Sequence, residues 1–156
     1  MNEIIMPGRI VSQRTKFYEF RQNNSGGSFN YTDDLDRHVY IEATSALEAN
    51  SIAKNLGVYF DGVRCGMDCS CCGDRWDETQ EWRAIESKDD LQKEIGFDMR
   101  WMWGENDVIA IIHTLDDMRY TLRMNIRKQT HVDVFDKKTK TKQIAKVDLT
   151  PLLPTE

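Results

Sequence analysis

Four cysteines crowd into the eight positions from Cys65 to Cys72, and this constrains the chain more than any other feature it carries. Cys69 and Cys72 form Cys-x-x-Cys followed by Gly73, the spacing at which a tight turn aims two thiolates at one tetrahedral zinc ion, with glycine free to take a positive φ. Disulfides between such close neighbours would be strained, and in a reducing cytosol thiols persist, so the favoured chemistry is a structural zinc site. Residues 61–76 are therefore expected to form a cysteine-rich loop held by the elements on either side.

Within that loop Cys69 and Cys72 are the first pair of ligands and Cys65 the third, while Cys71 either points elsewhere or substitutes for one of the pair. With no second Cys-x-x-Cys, the fourth ligand stays open among His38, His113, His131, Asp61, Asp68, Asp74 and a cysteine of a second chain. A nucleophilic thiol would need a base beside it, and none of the three histidines is close in sequence. His113, inside the apolar run Val108 to Thr114, reads as a satisfied core residue.

A chain of 156 residues, 40% of them hydrophobic, can bury one core, and 30% charged residues point to a soluble protein. No apolar run approaches the roughly 18 residues of a membrane-spanning helix, and Met1 to Val11 lacks the pattern of a signal peptide. A cytosolic location and no membrane contact are expected. Residues 119–146 hold nine basic side chains against Asp133 and Asp136, which is +7 and leaves −12 for the rest of a chain whose net charge is −5. A basic pole of this kind attracts phosphate or an acidic partner.

Periodicity places the elements. Residues 1–15, broken by Pro7-Gly8, are expected as a flexible, irregular arm, and residues 151–156 as a tail marked by Pro151 and Pro154. Phe17 to Phe20 reads as a strand running into the polar loop Gln22 to Ser28, with a second strand over His38 to Ala43. Ser45 followed by Glu48 fits a capping box, and the stripe of Ala49, Ile52, Ala53 and Leu56 ended by Gly57 predicts a helix over about 45–56. Ile52, Leu56, Phe20 and Ile41 are then core. Trp82 to Ile85 is expected as a short strand, about 89–95 as a second short helix closed by Gly96, and Phe97, Met99, Trp101 and Trp103 as one side of a strand.

Val108 to Ile112 suits a central strand. Tyr120, Leu122, Met124 and Ile126 alternate with Thr121, Arg123, Asn125 and Arg127, giving a strand with an apolar side and a basic side. Strands over Val132 to Phe135 and Ile144 to Leu149 follow, joined by the Lys137 to Lys142 turn. The predicted fold is one α+β domain over 16–150 with a mostly antiparallel sheet.

Other constellations are weaker. Asp33, Asp34 and Asp36 match no calcium loop, and Asn24 to Ser28 lacks the lysine and following helix of a P-loop, so both read as turns. The basic quarter with Tyr120 and Phe135 is a candidate nucleic-acid surface, against the plainer account of a solvated strand face whose lysines deter aggregation.

Three strings, FYEFRQNNSGGSF at Phe17 to Phe29, IEATSALEANSIAKNLGVYFDGV at Ile41 to Val63 and DCSCCGDRW at Asp68 to Trp76, resemble a family of small proteins encoded by tailed bacteriophages. The resemblance spans about residues 16–76, implies a phage origin and brings no activity with it. Cys65 falls outside the shared pattern, whose cysteine element begins at Asp68.

The leading expectation is a non-enzymatic phage accessory protein that binds a host or phage macromolecule in the host cytoplasm, most plausibly a protein. Its contact surface is expected at Arg75 and Trp76 and along the strand bearing Arg119, Arg123 and Arg127. A virion or assembly component and an enzyme acting on nucleotides or nucleic acid are the alternatives.

Overall fold

The computed structural model describes residues 2–6, 9–99, 107–124 and 130–145. Two N-terminal strands, β1 (Asn2–Met6) and β2 (Arg9–Gln13), pair antiparallel as a hairpin separate from the main sheet. Where an irregular arm is expected, ten strand positions pair in register from Asn2 opposite Gln13 to Met6 opposite Arg9.

The main sheet runs in chain order: β3 (Lys16–Arg21), β4 (His38–Ala43), β5 (Asp107–His113), β6 (Met118–Met124), β7 (Thr130–Asp136) and β8 (Thr141–Ala145). Each neighbouring pair is antiparallel except β4 with β5, which are parallel through Val39–Ile111, Tyr40–Ile112 and Ile41–His113. A parallel pair cannot be closed by a hairpin and needs a long crossover. That crossover carries α1 (Ala46–Asn55), the cysteine loop and α2 (Lys88–Met99). The α+β, mostly antiparallel architecture is therefore as the sequence predicts.

Alternation in the strands separates two cores. Tyr18, Phe20, Val39 and Ile41 pack with Ala49 and Ala53 of α1 and with Trp76, whereas Phe17, Tyr40, Ile112 and Leu122 pack with Leu91 and Ile95 of α2. Successive strand residues point to opposite faces, so the helices cover opposite sides of the sheet. Phe20 and Ile41 are fully buried, while Ile52 and Leu56 sit partly buried at the margin of the α1 core.

Helix α1 starts where the capping residues put it. Ser45 Oγ accepts from the Glu48 amide at 3.1 Å, and the Glu48 carboxylate accepts from the Thr44 amide at 2.8 Å, so donors at the helix entrance are satisfied from both directions. Gly57 takes φ +109°, which lets the chain leave the helix toward the loop.

Among the described residues, two segments expected as strands take other forms. Trp82 to Ile85 is a 3-10 turn over Glu81–Arg83, with only Ile85 bridging Phe17. The cause is Glu81, whose carboxylate accepts from the Ala46 amide at 2.5 Å and the Tyr18 hydroxyl at 3.1 Å, folding the segment over the start of α1. Phe97 and Met99 belong to the last turn of α2, which runs through Gly96 instead of stopping there. Leu91 and Ile95, four residues apart, are buried against the sheet, and that packing outweighs the roughly 1 kcal/mol helix penalty of a glycine. Trp101 and Trp103 lie outside the described residues, as do Ile126, Arg127, residues 146–149 and the tail at 151–156. The final strand begins at Thr141, earlier than expected, because Asp136 pairs with Thr141 across a turn in which Lys140 has φ +56°. Among the described residues, no helix is long and apolar enough to cross a membrane.

Candidate metal centre

Leaving α1, the chain makes two consecutive turns. In the first, Asp61 adopts φ +57°, Cys65 N–H donates to the Asp61 carbonyl at 2.9 Å and the Met67 and Asp68 amides donate to the Gly62 carbonyl at 2.8 and 3.0 Å. Gly62 has to be glycine: a Cβ there would overlap the Asp68 carboxylate and crowd the Tyr59 ring. In the second turn, the Cys72 and Gly73 amides donate to the Cys69 carbonyl at 3.2 and 3.1 Å, and Gly73 takes φ +85°.

The second turn gathers three thiols. The sulfurs of Cys69, Cys71 and Cys72 all lie within 4.8 Å of one another, with Cys71 and Cys72 at 3.6 Å. Sulfurs on one tetrahedral zinc stand about 3.8 Å apart, from Zn–S bonds of about 2.3 Å, so a small contraction suffices to close this set on an ion. The Cys71 thiol donates to the Cys69 sulfur, and the backbone amides of Cys71 and Cys72 add to that effect, drawing the Cys69 pKa below that of a free thiol. Cys71 is pushed the other way, to about 11, by its hydrogen bonds to Cys69 and Cys72 and by their charge. An ion's own charge would draw off the thiol protons as the sulfurs coordinate it.

The expected ligand set changes accordingly. Cys69 and Cys72 are together as predicted, but it is Cys71 that joins them, and Cys65 is not part of the cluster. Turn geometry is the reason: the Cys72 and Gly73 amides close back on the Cys69 carbonyl, so positions 69, 71 and 72 share one turn, while Cys65 belongs to the preceding one.

Beneath the turn is a buried polar network. Arg75 is 7% exposed. Its guanidinium donates to the Tyr59 hydroxyl at 3.0 Å, Gln22 Oε1 at 3.1 Å, the Ser28 carbonyl at 2.6 Å and the Ser25 carbonyl at 2.8 Å, with the Asp68 carboxylate 3.6 Å from Nε. Asp68 also accepts from the Tyr59 hydroxyl at 2.5 Å and the Arg75 amide at 2.8 Å. Burial and this bond to Asp68 raise the Tyr59 pKa. The Asn-rich loop turns out to clamp the cysteine turn: Asn23 Nδ2 donates to the Cys72 carbonyl at 2.8 Å, and the Cys69 amide donates to Ser25 Oγ at 3.0 Å. Trp76, 1% exposed, plugs the end of the turn into the α1 core.

Arg75 and Trp76, expected on a contact surface, are thus interior and hold the loop. The basic strand face is likewise engaged. Arg119 pairs with Asp34 at 2.8 Å and lies over the Phe135 ring at 4.5 Å, and Arg123 pairs with Asp133 at 3.1 Å. Arg127 is outside the described residues. Sequence reading missed this neutralisation because Asp34 is 85 residues from Arg119.

His113 is a core residue, as expected. Its Nδ1 accepts from the Lys137 amine at 2.9 Å, which leaves the proton on Nε2 to donate to the Asp34 carbonyl at 2.8 Å. Burial, aided by the Lys137 and Arg119 charges, depresses its pKa from 6.5 to about 4. The unfolded chain then takes up a proton below pH 6.5 that the folded chain refuses until about pH 4. Stability should therefore fall on acidification across that window, by up to about 3 kcal/mol. Urea midpoints measured between pH 7 and pH 4 should show the slope, and His113→Gln should flatten it.

Beside the turn, a groove of about 930 Å³ is lined by Asn23, Asp77, Glu78, Thr79 and Trp82 among others. Trp82 is 76% exposed, and Arg83 stacks on its ring at 4.7 Å.

Fold and site together define a small α+β protein whose crossover presents a cluster of three cysteines able to hold a metal ion. Residues 15–130 match the model of a domain of unknown function, DUF7296, and the chain belongs to that family. The matched span takes in β3 to β6 and the whole crossover. Comparison with curated proteins and with solved structures gives no match.

Proposed function

We propose that this chain is a non-enzymatic, phage-encoded binding protein of the host cytoplasm, in which a zinc ion fixes the cysteine turn for contact with a partner macromolecule. The observation that carries the reading is the gathering of three sulfurs within 4.8 Å on a turn whose floor is a buried arginine network. Soft thiolates in near-tetrahedral spacing favour zinc over hard cations. The phage origin is supported by the resemblance of the three strings to proteins of tailed bacteriophages.

A protein partner is favoured over nucleic acid, since Arg119 and Arg123 already face carboxylates and have less to offer phosphates. The groove beside the turn gives such a partner a concave surface. Elemental analysis of protein purified without added metal should return close to one zinc per chain, and less than roughly a tenth of an equivalent would overturn the zinc assignment. Affinity capture from infected host lysate should retain a defined protein, and recovery of nucleic acid alone would reverse the choice of partner.

A further inference from the structure

We infer that the metal bound by Cys69, Cys71 and Cys72 keeps one coordination position open to solvent, and that this position is taken by a histidine imidazole of the bound partner. The inference rests on the zinc reading above and specifies how the same site makes its contact.

Zinc in a structural site takes four ligands, and the turn supplies three. Among the described residues, the side chains of Asp61, Asp68, Asp74, His38 and His113, considered for the fourth position, are engaged elsewhere. Asp68 has a fully buried carboxylate that already accepts from Tyr59 and Arg75, and withdrawing it would strand a buried guanidinium. Asp74 Oδ1 holds the Val63 amide at 2.9 Å, and Asp61 pairs with Arg64 at 2.9 Å. The Cys65 sulfur, in the preceding turn, is not among those that lie within 4.8 Å of one another. His113, at the end of β5, has both ring nitrogens in hydrogen bonds to Asp34 and Lys137, and His38 lies 3.5 Å from Glu19.

Within the cluster Cys71 and Cys72 are exposed, so its unfilled side faces outward. A zinc carrying three thiolates has a net charge of −1. A neutral imidazole adds no further charge, whereas a fourth thiolate must first lose a proton at neutral pH and then meets like charge.

The test is optical, on the full chain loaded with cobalt(II) in place of zinc. Sulfur-to-cobalt charge-transfer absorption reports the thiolates, and the d–d bands report the fourth ligand. Imidazole titrated into the loaded protein should shift the d–d bands to saturation without loss of charge-transfer intensity, in wild type and in Cys65→Ser alike. A simple thiol should require at least about tenfold higher concentration for a comparable shift at neutral pH. The inference is overturned if imidazole leaves the bands unmoved, if Cys65→Ser alone moves them, or if the thiol saturates first. Absence of any sulfur charge-transfer band would overturn both this inference and the zinc reading, while a full band insensitive to imidazole would overturn this one alone.

Discussion

Replacing Arg75 by methionine should cost about 3–5 kcal/mol of unfolding free energy, the penalty typical of breaking a buried ion pair from one side. The side chain makes four hydrogen bonds that join Tyr59, Gln22, Ser25 and Ser28, and it is the ionic partner of an Asp68 carboxylate with no solvent exposure. Methionine fills much of the volume and supplies no donor. The Ser25 and Ser28 carbonyls then lose their side-chain donor, Gln22 Oε1 keeps the Asn30 amide alone, and the Asp68 carboxylate, still accepting from Tyr59 and from the backbone amide of residue 75, loses its counter-charge. Equilibrium urea unfolding measures the loss. A change below about 1 kcal/mol would mean that water replaces the guanidinium, and that the network is less enclosed than its burial indicates. Because Ser25 and Asn23 also hold the cysteine turn, the variant should bind zinc more weakly even where it remains folded.

The second large effect separates two neighbouring cysteines. Cys71→Ser removes one of three clustered sulfurs, whereas Cys65→Ser removes a thiol outside the cluster. Structural zinc sites bind with about 10–16 kcal/mol spread over four ligands, so a lost thiolate should cost roughly 3 kcal/mol, about a hundredfold in affinity. Competition with a chromophoric chelator should show that loss for Cys71→Ser and a near wild-type constant for Cys65→Ser. The reverse result would restore the ligand set Cys65, Cys69 and Cys72 that spacing alone suggests.

The two variants also mark where reading the chain residue by residue succeeds and where it misleads. Ser45, Glu48 and Gly57 act over three or four positions, so α1 is legible in the string itself. The same holds for β4 and β5, whose apolar patterns need no knowledge of their neighbours. Arg75 is different. Arginines are usually exposed, and its acceptors at Gln22, Ser25 and Ser28 lie 47 to 53 residues away. The signal that was available is the joint appearance of the Gln-Asn-Asn-Ser-Gly-Gly loop and the Cys-Cys-Gly-Asp-Arg-Trp string in one resemblance, since the two segments prove to be in contact. Trp82 and Phe97 depart from their local patterns for a similar reason. Their local patterns suit strands, yet the Glu81 carboxylate and the burial of Leu91 and Ile95 decide otherwise.

By itself the amino-acid order determined the α+β class, the capped first helix, the central apolar strand and the concentration of thiols in one loop, because each depends on residues within a few positions of one another. Only the tertiary structure decided that β4 and β5 run parallel, that Arg75 and Trp76 face inward, that Asp34 neutralises Arg119, and that Cys71 rather than Cys65 completes the cluster. Those outcomes depend on contacts between distant segments and on the detailed path of one turn, whose energies exceed the local preferences of the residues involved.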